Sequence, residues 1–437
     1  MPQNTFTNNF YKNRGAIRKS LVITLAIILG LLVWLAYAAR DPAMLAVTPV
    51  QTTLPDHFIW GVSSSGYQSE GGTEDSNWKR WNDGHPEQDR YGTSVDFRHR
   101  YREDVALAKQ LGVNTYRIGI NWARLEPKKG QIDNVEVAYY DDLILALKQA
   151  GIAPLITLDH FVHPGWVADQ GGWTNPQTTK DFVAYSTMIA QRYHADVHLW
   201  ITFNEEGSNQ VIEAIQYKRG LSETLHTRDN LVAAHRQTYD VIHSLDPKAM
   251  VTSNIIWMGD HFGSRSLQRL TDWLFLDQIE DKCDVIAIDY YGANLVKAIQ
   301  MGKQWKAPLE PAGLYRALQT LKSRYPDKPL LIAETGMPTE DGKPREDGIT
   351  RSELLRDGVY WTQRAREDGI NVIGYMVWSL TDNFEWGSYT PRFGLYTVNV
   401  KTDPSLARIP TDAVPAYQEV IRNGGVGSAY KPVMVQY

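Results

Sequence analysis

Eight short apolar runs, each ending in polar residues and most followed by a longer amphipathic stretch, organise this chain. The runs are 57–68, 114–122, 153–160, 197–205, 249–255, 284–291, 329–335 and 372–380. Helical periodicity fills the intervals, for example at 95–110, 135–150, 176–195, 228–245, 311–325 and 350–368. Near-continuous apolar runs suit strands buried on both faces, and strands alternating with helices suit a parallel sheet. With no break into a second domain, the pattern predicts one α/β domain over residues 55–437, a closed (β/α)8 TIM barrel. A doubly wound open sheet is the alternative, but no G-x-G-x-x-G follows the first run. Gly112, Gly151 and Gly369 stand where helices are expected to end.

A barrel does its chemistry at the C-terminal ends of its strands. Those ends carry Tyr67-Gln68, Asn121-Trp122, Asp159-His160, Asn204-Glu205, Asn254, Asp289-Tyr290-Tyr291 and Glu334. The eighth run holds Trp378 and leads into Asp382-Asn383-Phe384-Glu385-Trp386. Each residue alone has a bland explanation as a cap or a turn. Together, amides, carboxylates and indoles match a sugar, whose hydroxyls need polar partners and whose C–H face needs an aromatic ring.

Glu205 and Glu334 come from strands four and seven, across the barrel mouth from each other. Facing carboxyls are what glycoside hydrolysis requires, and a gap of about 5–5.5 Å implies retention through a covalent glycosyl-enzyme. Arg117, brought beneath Glu334 by the closed barrel, and the Tyr291 hydroxyl would favour the ionised form of Glu334. Its charge would then keep Glu205 protonated as the acid, with Glu205 turning base once Glu334 is glycosylated. The alternative is that Glu334 merely pairs with a core arginine. Glu206 is a second acid beside Glu205. It is expected to point away along the chain.

Other chemistries find less support. Asp159, His160 and His163 lack the H-E-x-x-H spacing of a metal site, and Pro164 breaks any helix there. Sugar hydrogen-bonding or a structural role is left for His160. There is no G-x-S-x-G elbow and no P-loop. Cys283, the one cysteine, precedes a buried strand and reads as inert core. No metal or organic cofactor is expected.

The first fifty residues differ from the rest. Residues 1–19 hold Lys12, Arg14, Arg18 and Lys19 and no acid, so of the formal net charge of −5 the remainder carries −9. An acidic body argues against a nucleic-acid partner. Residues 20–39 form 20 uncharged, mostly apolar residues, about 30 Å as a helix and so the thickness of a hydrocarbon core. The expectation is a basic cytoplasmic segment (1–19), a transmembrane signal anchor (20–39), a short linker (40–54) and a body outside the cytoplasm. Ala36-Tyr37-Ala38 also fits a cleavage site, which would instead give a secreted or periplasmic body.

Several of these stretches together resemble glycoside hydrolase family 1, the β-glucosidase and β-galactosidase family, from about Phe58 to the C-terminus. They are Phe58-Ile-Trp-Gly61 with Ser65-Gly-Tyr67-Gln68-Ser-Glu70-Gly71, then Tyr116-Arg117 to Pro127, His160, Thr202-Phe-Asn204-Glu205, Ile332-Ala-Glu334-Thr-Gly336, and Trp378 to Trp386 with Arg392-Phe-Gly394. The resemblance implies Glu205 as acid/base, Glu334 as nucleophile, and Arg117 and Tyr291 as its supports. It also implies Gln68, His160, Asn204, Trp378, Glu385 and Trp386 as sugar-binding residues, with Asn204 on the 2-hydroxyl and Glu385 on the 4- and 6-hydroxyls. The expected activity is a retaining exo-β-glycosidase, most readily a β-glucosidase. A transglycosylase acting on glycolipids and a non-catalytic sugar receptor are the alternatives, and retention of both glutamates weighs against the receptor. Four positions depart from the family pattern: Glu206 for proline, Thr335 for asparagine, Phe161 for tryptophan and Asp289 for asparagine.

Overall fold

The computed structural model describes residues 44–257, 259, 268–291 and 303–434, together with Gly30. The basic segment 1–19 and the apolar run 20–39, Gly30 apart, lie outside the described residues. Among the described residues no helix is long and apolar enough to cross a membrane.

Parallel strands form the centre: β1 (Ile59–Ser63), β2 (Thr115–Gly119), β3 (Ala153–Asp159), β4 (Leu199–Phe203), β5, β6 (Ile286–Tyr290), β7 (Leu330–Thr335) and β8 (Val372–Trp378). Strand β5 is in two pieces, Met250–Thr252 and Asn254–Ile256. The first piece pairs with β4 and the second with β6, and these are the two ends of an otherwise continuous sheet. Only Ser253 separates them, so the sheet closes into a barrel through β5. The alternation of apolar runs thus corresponds to the expected (β/α)8 fold.

Side chains alternate across each strand. Leu155, Leu199, Ile201, Ala287, Leu331 and Met376 pack together in the lumen. Trp200, Ile286, Ile288 and Ile332 pack outward into the larger core beneath the helices. Burial on both faces is why the strands read as unbroken apolar runs.

The helices that follow the strands include α1 (Phe97–Leu111), α2 (Asn134–Ala150), α3 (Pro176–Tyr193), α4 (Glu206–Gln216), α5 (Leu221–Leu245), α6 (Leu274–Ile279), α7 (Ala312–Arg324), α8 (Arg351–Glu367) and α9 (Ala413–Asn423). Gly112 and Gly151 cap α1 and α2 with φ of 86° and 76°, in the left-handed region where glycine lacks the Cβ penalty. Two expectations about local structure fail. Gln68 sits on a short helix, Gly66–Glu70, after β1 has ended at Ser63. The Ser65 hydroxyl caps that helix and bends the chain over the mouth. The described part of the expected linker, 44–54, is docked along α8. Val50 and Leu54 are buried, Thr52 N–H donates to Glu367 at 2.9 Å, and the Tyr360 hydroxyl donates to Thr48 O at 2.7 Å. The C-terminal segment runs up the same helix. Gln363 meets Val426, and Asp357 accepts from the Tyr430 hydroxyl at 2.7 Å and Met434 N–H at 3.0 Å.

Candidate active site

Strict alternation would turn residue 334 away from the lumen, because Leu331 and Ala333 face in and Ile332 faces out. The β6–β7 register shifts at this point: Ile288 pairs with Ile332, but Asp289 pairs with Glu334. The one extra residue re-aims Glu334 inward, as bulges beside active sites do. There Glu334 Oε1 accepts from Arg117 Nη1 at 2.5 Å, and Oε2 accepts from the Tyr291 hydroxyl. Arg117 is wholly buried. Its Nε donates to Thr157 Oγ1 at 2.8 Å and its Nη2 to Asn204 Oδ1 at 2.5 Å. One cation therefore ties β2, β3, β4 and β7 together under the mouth. Burial raises Glu334 above its ordinary value, while the Arg117 charge and the Tyr291 O–H pull it back.

Glu205 leaves β4 with φ 38° and ψ 64°, a left-handed conformation uncommon for a residue with a side chain. Helix α4 begins at the next residue. The turn sends the carboxyl back over the mouth. Ser208 Oγ donates to Oε2 at 2.8 Å. One carboxylate oxygen each from Glu205, Asp289 and Glu334 all lie within 4.8 Å of one another. Burial, then the Glu334 charge, push Glu205 up to about 8. Glu334 has the stronger anion-stabilising partners of the two, so a shared proton resides on Glu205.

Three acids this close resemble a cation site. Among the described residues, however, the protein supplies its own donors: Arg117 meets Glu334, and the Asn254 amide N–H meets Asp289. Burial, then the Glu334 charge, drive Asp289 well above its ordinary value, favouring its neutral form.

Gln68, His160, Asn204, Glu205, Tyr291, Glu334, Trp378, Glu385 and Trp386 line one cavity of about 190 Å³. Trp378 Nε1 donates to Glu385 Oε1 at 3.2 Å, and Gln68 Nε2 to Glu385 Oε2 at 3.4 Å. Burial raises Glu385 to about 8, with the Trp378 N–H opposing. Asn204 presents its oxygen to Arg117 and to Asn254 Nδ2 at 2.9 Å, which leaves its N–H groups for the cavity. His160 lies nearly parallel to Trp378, with centroids 5.5 Å apart, and burial holds its pKa well below 6.5. It is a neutral imidazole, able to donate and accept. Trp386 and Phe161 sit edge to face at 5.2 Å, both with positive φ.

Of the site residues read from sequence, all but Arg117 line this cavity, and Arg117 lies directly beneath it. Glu206 turns away: its carboxyl accepts from Gln210 and is buried beside Asp272. Sequence reading left out Ser208, and it named Asn254 and Asn383 at strand ends without giving them a role. Asn383 Oδ1 holds Gln68 Nε2 at 3.2 Å. Ser208 was findable, one helical turn beyond Glu205, and Asn254 stands at a strand end. His163 is not part of the cavity. It meets the Tyr217 hydroxyl at 2.9 Å behind the wall.

Comparison with known proteins agrees with this geometry. The sequence profile described as "Glycosyl hydrolase family 1" matches residues 50–262 and 291–426. Beta-glucosidase A of Acetivibrio thermocellus is 27% identical over 85% of this chain and 99% of the relative. A bifunctional beta-D-glucosidase/beta-D-fucosidase of Bifidobacterium breve is 28% identical over 84% and 98%. Among solved structures, a beta-glucosidase from Thermotoga maritima in complex with deoxynojirimycin superposes with a TM-score of 0.73 at 24% identity, covering 86% of this chain and 99% of that one.

Proposed function

The chain belongs to glycosyl hydrolase family 1, and from that premise we propose that it is a retaining exo-β-glycosidase, a β-glucosidase, releasing one non-reducing sugar per turnover. The observation that carries the mechanism is the spacing of Glu205 and Glu334. Carboxylate oxygens within 4.8 Å leave no room for the intervening water that inversion needs at about 6.5–9.5 Å.

Glu334 is the nucleophile. Its oxygen attacks the anomeric carbon, the glycosidic C–O bond breaks, and Glu205 gives its proton to the departing oxygen. The glycosyl-enzyme carries no charge on Glu334, so the repulsion that held the Glu205 proton is gone. Glu205 then takes a proton from water, whose oxygen attacks the same carbon and returns Glu334 as carboxylate. Arg117 and Tyr291 stabilise that carboxylate as nucleophile and as leaving group. Gln68 and Glu385 take the outer hydroxyls, Asn204 and His160 the inner ones, and Trp378 and Trp386 the ring face. Glu334 makes and breaks the covalent link to the sugar, Glu205 relays the proton, and water supplies the oxygen and proton of the second step.

Residues 20–39 are taken as a membrane anchor that holds the body outside the cytoplasm, on the strength of their length, lack of charge and basic flank.

The test is hydrolysis of an aryl β-glucoside followed by proton NMR. The first-formed sugar should be the β-anomer. First-formed α-anomer would refute retention, and no hydrolysis of glucoside, galactoside or fucoside would refute the activity.

A further inference from the structure

In this barrel each strand's C-terminal end, and therefore the start of each following helix, lies at the catalytic end. Exposed aliphatic side chains gather there. Leu221 (80% exposed) opens α5 and Val135 (68%) opens α2, while Val211 and Ile215 lie exposed on α4, just beyond Glu205. Among the described residues, none of the loops entering the strands from the opposite end carries an exposed large hydrophobic residue. The exposed aliphatic side chains are weighted toward the catalytic end, with Leu145 in the last turns of α2 the exception at the other.

Both chain ends lead to the same side. Helix α8 descends from the catalytic end, and the N-terminal strap runs against it, with Thr52 at Glu367 and Thr48 higher up at Tyr360. Followed toward the N-terminus, the strap climbs and is last seen at Met44, 68% exposed. The C-terminal strap climbs too. Met434 packs with Leu309 and Met337, Leu309 itself lines the cavity, and Val433 beside it is 60% exposed.

Only residues 40–43 separate the apolar run from Met44. Fully extended, four residues reach about 14 Å. A body of this size has a radius of gyration near 21 Å. A leash shorter than the body's radius cannot let the body turn over, so the side from which it leaves must face whatever holds residues 20–39.

We propose that the catalytic end of the barrel rests on a lipid bilayer surface, with the aliphatic side chains around the mouth in the interfacial layer, so that the site addresses glycosides displayed by the membrane. This rests on reading residues 20–39 as an anchor. The body's acidic charge makes the contact apolar rather than electrostatic, and therefore insensitive to salt.

Cys283 is buried, so single cysteines introduced elsewhere can be labelled cleanly. Full-length Leu221→Cys, Val433→Cys and, at the opposite end, Lys109→Cys carry an environment-sensitive fluorophore in phosphatidylcholine vesicles doped with a lipid-borne quencher. The expected result is co-flotation with the vesicles and at least threefold stronger quenching at 221 and 433 than at 109. A flexible insertion of some twenty residues after Arg40 should reduce that contrast. Flotation with equal quenching at all three sites overturns the orientation alone. Failure to float overturns the anchor reading and the orientation with it, leaving the glycosidase assignment untouched.

Discussion

Arg117 Nη1 lies 2.5 Å from Glu334 Oε1 just beneath the mouth of a closed barrel, and the guanidinium is wholly buried. The fork also holds Asn204 and Thr157, so its geometry counts as much as its charge. Arg117→Lys keeps the charge and loses the fork. Its kcat/KM on an aryl β-glucoside should fall by about 10²–10³-fold. Arg117→Ala also strands a buried carboxylate, and breaking such a pair costs about 3–5 kcal/mol of stability. Thermal unfolding should separate the two variants, with the alanine form melting far lower.

Glu205, held up at about 8, should set the alkaline limb of kcat/KM, because the general acid must be protonated and activity falls as pH rises through that value. Glu205→Gln should abolish that limb and cut turnover of an alkyl glucoside by about 10³-fold or more. A dinitrophenyl glucoside, whose leaving group needs no proton, should form the glycosyl-enzyme at close to the wild-type rate. Stability carries the same signature. A carboxyl whose folded pKa exceeds its unfolded value binds more protons when folded. Its stabilising proton is fully present below the unfolded value, and stability is lost as pH rises toward 8. Glu205→Gln should therefore unfold at a higher temperature than wild type at pH 8, with the difference vanishing near pH 4.

How much of this was readable beforehand depends on which force set each feature. The barrel was legible because burial on both faces writes itself into apolar runs, and the principal site residues because strand ends are where the fold puts chemistry. The inward turn of Glu334 was not. It depends on a one-residue register shift between Ile288 and Asp289, and the local pattern Leu330-Leu-Ile-Ala-Glu334 shows nothing to announce it. The perch of Gln68 was missed because Ser65 stops the strand by capping, a side-chain effect inside a run that looks continuous. Residues 40–54 looked like a tether for Pro42, Pro49 and the flanking Pro55, yet Val50 and Leu54 bury themselves against α8 and its neighbours. Pairings more than 300 residues apart leave no local trace.

Glu206 tests whether neighbouring acids matter by adjacency or by direction. It follows Glu205 in sequence, but its carboxyl meets Gln210, away from the cavity. Glu206→Gln should leave kcat/KM within about threefold and the alkaline limb where it was, because its carboxyl faces Gln210 and not the cavity. Burial raises Glu206 well above its ordinary value, so its ionisation opposes folding increasingly as pH rises. The variant should gain melting temperature at pH 8 relative to pH 5.

Glu385 lies between the Trp378 and Gln68 donors, its carboxyl raised to about 8 by burial. At neutral pH it is mostly a neutral acid, able both to donate to and to accept from sugar hydroxyls. Losing it should hurt a sugar in proportion to the hydroxyls it reaches. Glu385→Ala should lower kcat/KM on an aryl β-glucoside by about 10²-fold or more, two hydrogen bonds at roughly 1.5 kcal/mol each. On an aryl 6-deoxy-β-glucoside, which lacks only the 6-hydroxyl, the loss should be about tenfold smaller. Equal losses on both sugars would remove the 6-hydroxyl from Glu385 and place it on the 4-hydroxyl alone.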